Sequence, residues 1–238
     1  MNRPLTSIMI ALLLFTASAS NSMASEPVSR CKEGDTICKQ FETFIQAEQP
    51  EKVLAQYDPA KRFSSEALRY VGDAYLALAS RDNVTPEQEE GYYRKALEIK
   101  HDIAYMGLYF LYAQKDNEKA LGFLREYVKT KPVDTVPYVI LGEAELNNKN
   151  YAASAAYLRE GKRVAHAHSP RVDWMLFQAS YLLKEYAVAG ELFESAVTKG
   201  SFEKELKVLT TDPRFADIEK RPEFKKHEGL IKAAKNSR

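Results

Sequence analysis

The sequence predicts an all-α fold assembled from repeated helix pairs, and three observations carry that expectation. Gly72, Gly107 and Gly142 stand 35 residues apart, each in the same short frame: Leu68-x-x-Val71-Gly72-x-x-Tyr75, Ile103-x-x-Met106-Gly107-x-x-Phe110 and Tyr138-x-x-Leu141-Gly142-x-x-Glu145. A further frame, Trp174-x-x-Phe177-Gln178-x-x-Tyr181, follows 36 residues later with glutamine in the glycine slot. Self-similarity at this period marks a chain built from stacked copies of one supersecondary unit. Apolar residues recur at helical spacing almost throughout after Pro27, and long alternating strand patterns are missing.

The first residues read as an export leader. Arg3 gives a positive start, Leu5 to Phe15 is an apolar run too short to span a bilayer, and Ser22-Met23-Ala24 offers a small-residue cleavage site, with Ala17-Ser18-Ala19 second. Residues 1–24 are therefore expected to be a signal peptide cut near Ala24, which places the mature chain in the periplasm or outside the cell with no stable membrane insertion. The leader takes away one of the 34 basic residues and none of the 33 acidic ones. The remaining chain is close to neutral, which excludes the basic excess a duplex nucleic-acid binder needs. The local run Lys225, Lys226, Lys232, Lys235, Arg238 reads as a solvated helix end and tail.

Residues 25–64 read as an N-terminal helical cap. Its two cysteines, Cys31 and Cys38, are the only ones in the chain. On one continuous helix a seven-residue separation rises about 10 Å, too far for a disulfide. Gly34 and Asp35 lift that objection: Asp35 is placed to cap a helix starting near Thr36, so Cys31 lies in the preceding loop and folds back onto Cys38. A disulfide is expected, worth roughly 2–3 kcal/mol in the chain-entropy model. The apolar stripe Cys38, Phe41, Phe44, Ile45 predicts the first helix, and Pro50 opens a second at a position where proline is tolerated.

Four copies follow over residues 65–200. The first opens at Ser64 or Ser65 and turns at Asp82 to Pro86, where Thr85, Pro86 and Gln88 form a helix-start signature. The second runs from about His101 to Pro132, the third from Pro137 to about His168, and the fourth from Ser169-Pro170 to near Gly200. A glycine in mid-helix costs about 1 kcal/mol against alanine. Three such costs on one period call for a packing return, namely close approach of a neighbouring element. Small residues in the second helices, Ala96, Ala120, Ser154, Ala189 and Ala196, fit the same demand.

These frames resemble the tetratricopeptide repeat family. Its signature W-x₂-L-G-x₂-Y, A-x₃-F, P is matched best by the second copy, with Ile103, Met106, Gly107, Phe110, then Ala120-x-x-x-Leu124 and Pro132. The fourth copy matches at Trp174, Tyr181 and Ala189-x-x-x-Phe193 but carries Gln178, and the third has Glu145 where an aromatic is usual. The resemblance covers about residues 64–200. It implies a right-handed superhelical array of antiparallel helix pairs whose first helices line an inner, partner-binding face. The binding candidates it implies are Arg69, Asp73 and Leu76; His101, Leu108 and Tyr112; Glu143 and Asn147; and Met175 and Leu182. Residues 201–238, with Asp212-Pro213-Arg214-Phe215 and Arg221-Pro222-Glu223-Phe224, look like the closing cap and basic tail that often follow a last repeat. The apolar end of the face suits a protein or peptide segment, or the chain's own helix Lys225 to Ala234; both readings stay open.

No catalytic constellation emerges. His166-x-His168 would diverge on a helix, and no carboxylates complete a metal site. Phosphate loops, nucleophile elbows and His-Glu-x-x-His are missing. Glu143 and Glu145 diverge at i, i+2, which argues against a glycan-cleaving pair. The expectation is a non-enzymatic scaffold or adaptor without metal or cofactor, binding a protein or peptide, with cell-envelope assembly or secretion as its suggested setting. The alternative class is a carbohydrate-binding or glycan-cleaving helical protein of the envelope, with the many tyrosines as stacking platforms.

Overall fold

The structure is a computed structural model that describes residues 29–165, 169–199 and 203–236. The expected leader and the pair His166 and His168 lie outside the described residues. Helices account for the regular structure and no strand occurs among the described residues. The chain divides into two compact units, with the break between Thr130 and Lys131, between the second and third expected copies.

In the first unit, α1 (Thr36–Gln46) and α2 (Pro50–Gln56) pack on each other and on α3 (Ser65–Ala79). The disulfide joins Cys31 to Cys38, with 5.6 Å between their Cα atoms. Asp35 caps α1 by accepting from the amide of Cys38 at 2.9 Å, so the geometry follows the sequence reading. Phe41 and Val53 are buried against Ala67, Val71 and Ala74 of α3. α4 (Pro86–Glu98) begins with the expected capping box, Thr85 and Gln88 each satisfying the other's backbone amide. α3 packs on α4, and α5 (Ala104–Tyr112) on α6 (Asn117–Lys129). The second copy starts later than the sequence suggested. After α4, Lys100 adopts a left-handed φ of 61°, its amide reaches the carbonyl of Leu97, and the amide of His101 reaches that of Ala96. This is a Schellman closure; it commits His101 to ending α4 and delays α5 to Ala104.

The second unit pairs α7 (Val136–Asn147) with α8 (Tyr151–Val164) and α9 (Pro170–Leu182) with α10 (Tyr186–Thr198). Both hairpin turns close alike. Lys149 and Lys184 have φ of 62° and 65°, and the amides of Asn150 and Glu185 reach back to the carbonyls of Glu145 and Ser180. α11 (Glu203–Thr211), three 3-10 turns (Pro213–Phe215, Ile218–Lys220, Pro222–His227) and α12 (Glu228–Asn236) follow. These turns do more than solvate an end. Phe215 and Phe224 lie 5.9 and 6.2 Å from Phe177, ring centre to ring centre, and Ile218 and Ile231 join the same core. Tyr181 donates to Asp217 at 2.5 Å, and His227 Nε2 lies 2.7 Å from Glu194. The principal neighbours of α12 are α11 and the 3-10 turns.

The three frame glycines are all buried. A Cβ on Gly72 would stand 2.3 Å from the His101 ring, one on Gly107 2.3 Å from the Tyr93 ring, and one on Gly142 2.6 Å from Leu158. No atom lies within 4 Å of a Cβ on Gly122, by contrast. Gly107→Ala is therefore expected to destabilise the protein by about 1–3 kcal/mol through overpacking, whereas Gly122→Ala gains up to about 1 kcal/mol from helix propensity. Urea unfolding of the two variants checks the opposite signs.

Lysine at a left-handed helix end is unusual, since a side chain there costs roughly 1–2 kcal/mol that glycine avoids. The positive charge near a helix C-terminus recovers part of that cost. Lys149→Gly is expected to raise the unfolding free energy by about 0.5–1 kcal/mol, read as a higher urea midpoint at unchanged slope.

Candidate functional site

The charged end of the expected binding face lies on α3. Glu66, Arg69, Tyr70 and Asp73 recur at helical spacing, and α3 is held in place by its buried opposite side. Arg69 is exposed. Asp73 is already engaged: a guanidinium nitrogen of Arg30 lies 3.5 Å from one carboxylate oxygen, and Nε2 of His101 lies 3.2 Å from the other. The imidazole contact is off the line of a hydrogen bond, and this nitrogen has no other partner. Asp73 and His101 were named from separate copies, and the close approach at Gly72 brings them together.

The segment just before α1 supplies the rest. Ser29 donates to Glu42 at 2.6 Å, the amide of Arg30 points at the same carboxylate, and the Tyr70 hydroxyl donates to it at 2.6 Å. The Lys32 ammonium lies 3.4 Å from Glu66, and the Arg30 guanidinium sits 6.0 Å from the Tyr70 ring centre. Burial works against the charged form of Glu42, but the bonds from Ser29 and Tyr70 outweigh it and hold the carboxyl below its usual range. Burial and the neighbouring Glu42 push the Tyr70 hydroxyl well above the ordinary tyrosine value. Arg30 and Lys32 keep 58% and 75% of their side-chain surface in water. Exposed ion pairs of this kind add little to stability, while ordering backbone costs about 1–2 kcal/mol per residue. The disulfide fastens this segment to the first turn of α1.

Sequence reasoning missed Arg30 and Glu42. One signal was present: Glu42 follows Cys38 by one helical turn, so it shares the face to which the disulfide draws residue 31 and its neighbours. Arg30 itself sits outside any periodic pattern.

Three of the apolar candidates belong to the core rather than to a free face. Leu76 and Leu108 are buried together between helices of the first unit, and Met175 is buried in the core of the second. Their side chains are consumed by helix packing and present nothing to a ligand. Tyr112 donates to Glu90 at 2.5 Å and carries the Lys119 ammonium 3.7 Å above its ring. That hydrogen bond is the main reason the Glu90 carboxyl is held below its usual range. In the second unit Glu143 accepts from Arg171 at 2.6 Å, Asn147 is exposed, and Leu182 is half-buried against the core. Glu145, which stands where the resemblance implies an aromatic, is buried and accepts from Asn150 at 3.0 Å. It fastens the hairpin turn.

Among the described residues no group of three or more His, Cys, Asp or Glu is arranged to hold a metal ion, and no helix is long and apolar enough to cross a membrane. No protein-family model matches the chain, and no curated protein matches it significantly.

Asp35 ties the site together at its base. Besides capping α1 it accepts from the hydroxyl of Ser64 at 2.6 Å, and Ser64 in turn caps α3 by accepting from Ala67. The Ser64 bond first, and the Cys38 amide second, hold its carboxyl below the usual range. A carboxyl whose folded pKa is depressed contributes stability that is complete above the unfolded value of about 3.9 and is lost as pH falls through the folded one. Asp35→Asn keeps a capping oxygen but removes this titration. Urea unfolding between about pH 5 and pH 2 is expected to show a shallower acid limb for the variant than for the parent.

Proposed function

We propose that the chain is a tetratricopeptide-like scaffold or adaptor, exported to the periplasm or beyond, that holds a protein or peptide partner on the first-helix side of its hairpins. The observation that carries this reading is the burial of Gly72, Gly107 and Gly142 at contacts too tight for a Cβ. Glycine kept on one period for backbone approach is what a stack of alike hairpins requires. The matching turn closures at Lys149 and Lys184 support it, because they repeat in backbone conformation where the side-chain pattern is weakest. The export reading rests on Arg3, the run Leu5 to Phe15 and the small residues up to Ala24, and the disulfide fits an oxidising compartment. A role in assembling or exporting envelope components follows from that location by analogy of fold class.

Burial narrows the binding residues. Arg69 and Asn147 are exposed and Tyr112 and Glu143 keep partial access, whereas Leu76, Leu108 and Met175 serve the core. A photo-crosslinking amino acid placed at Arg69 or Asn147 in cells is expected to give one discrete adduct, and the same group at the second-helix positions Lys95 or Glu126 to give none. Adducts of equal yield from both sets would remove the face from the proposal. Retention of the purified chain on a glycan resin, without adducts, would favour the carbohydrate-binding class.

A further inference from the structure

The geometry points to residues Ser29 to Lys32 acting as a disulfide-held strap over the carboxylates that α1 (Glu42) and α3 (Glu66 and Asp73) present together, which opening of the Cys31–Cys38 bond frees for a short basic segment of a partner. This deepens the proposed function for the first unit. It rests on that reading for the partner and not for the strap itself.

The strap occupies the face as a ligand would. Consecutive residues each contribute a contact: Ser29 through its hydroxyl to Glu42, Arg30 through its amide to Glu42 and its guanidinium to Asp73, Lys32 through its ammonium to Glu66. Cys31, between them, is fastened to Cys38 at the base of α1. A short irregular stretch bearing cations on either side of a cross-link is therefore a built-in specimen of what the surface accepts. A backbone amide and cationic heads are both used, and the carboxylates accept from each.

The contacts are solvent-facing and weak by themselves, so the covalent bond decides whether the strap stays. Cys38 is fully buried while Cys31 is only partly so, which leaves the Cys31 sulfur as the point of attack. A small dithiol reductant would react there. Its thiolate attacks Sγ of Cys31 and displaces Cys38 as a thiolate, which takes up a proton. The second thiol of the reductant, as its thiolate, then closes the reductant's own disulfide and releases Cys31, which is protonated in turn. Two electrons and two protons pass to the chain. With the strap gone, Glu42 retains the Tyr70 hydroxyl, Glu66 the Ser65 hydroxyl, and Asp73 only the imidazole of His101. All three lose their cationic neighbour.

Limited trypsin digestion of the full chain, read by mass spectrometry after quenching, tests the strap. On reduction with dithiothreitol, cleavage after Arg30 and Lys32 is expected to accelerate at least about tenfold, while cleavage after Arg69, Lys95 and Arg125 keeps its rate. Unchanged cleavage at Arg30 and Lys32 overturns the strap, and so does a parallel rise at the helical sites, which would mean that the disulfide holds the unit together. The partner chemistry is tested by fluorescence anisotropy with a labelled peptide of residues 29–33 carrying Cys31→Ser. The full-chain variant Arg30→Gln/Cys31→Ser/Lys32→Gln, which can form no disulfide and carries no strap cations, is expected to bind it at least about tenfold more tightly than the oxidised parent. Binding is expected to weaken with added salt and with Glu42→Gln/Asp73→Asn in the same background. Equal binding by variant and parent, or none by either, rejects the basic-segment partner while leaving the digestion result to stand or fall by itself. Crosslinking from Asn147 reports on the second unit independently of the strap.

Discussion

Close approach at the frame glycines is the constraint on which the helix pairs depend. A missing Cβ lets a neighbour come to within 2.3 Å of where that atom would be, closer than any side chain tolerates. The three glycines admit different neighbours: a histidine from the closure of α4 at Gly72, a tyrosine from α4 at Gly107, a leucine from α8 at Gly142. What repeats is room beside the backbone, not a particular side-chain pair. This explains how flanking residues diverge while the period survives, and why three helix-interior glycines persist despite their unfavourable propensity.

The fourth frame shows what happens when the rule is relaxed. Gln178 occupies the glycine slot and is itself buried, so the space near it is filled differently. Phe177, one residue earlier, becomes the centre of an aromatic cluster built with Phe193, Phe215 and Phe224. The last two arrive on Asp-Pro-Arg-Phe and Arg-Pro-Glu-Phe turns, where proline sets each 3-10 turn and the aromatic ring drops inward. Gly190 lets the second of these turns lie against α10, with Glu223 Cβ at 3.1 Å from its would-be Cβ. Hydrogen bonds from Tyr181 to Asp217 and between Glu194 and His227 then fix the polar edge of that packing. The C-terminal segment thus covers the α9–α10 hairpin with rings.

In the first unit, α1 and α3 are covered instead by a charged segment. Asp35 joins the start of α1 to the start of α3 through Ser64, the disulfide draws the preceding residues over α3, and Glu42 and Asp73 accept what those residues donate. The two coverings therefore use different physics. Rings buried in a core are held by area and shape, and do not depend on one bond. A polar strap in water depends on its covalent anchor, because each of its contacts competes with hydration.

The chain's own residues determined its helical class, the hairpin period, the disulfide, the Asp35 cap and the Thr85 capping box. All of these are local: they rest on spacing within one or two turns, or on a seven-residue loop, and the chemistry of a cap or a close-packed glycine is written in adjacent positions. Which members of an apolar or charged series face water was settled only in three dimensions. Met175 is buried although its counterpart in the first copy, Arg69, is exposed, and Leu108 is buried although its counterparts Asp73 and Glu143 are only half so. The late start of α5 and the meeting of His101 with Asp73 arise from a backbone closure that lysine adopts in place of the glycine sequence rules expect. The pairing of Arg30 with Asp73 spans 43 residues, and contacts of that range have no period to betray them; they exist because folding brings two unrelated stretches within reach of one carboxylate.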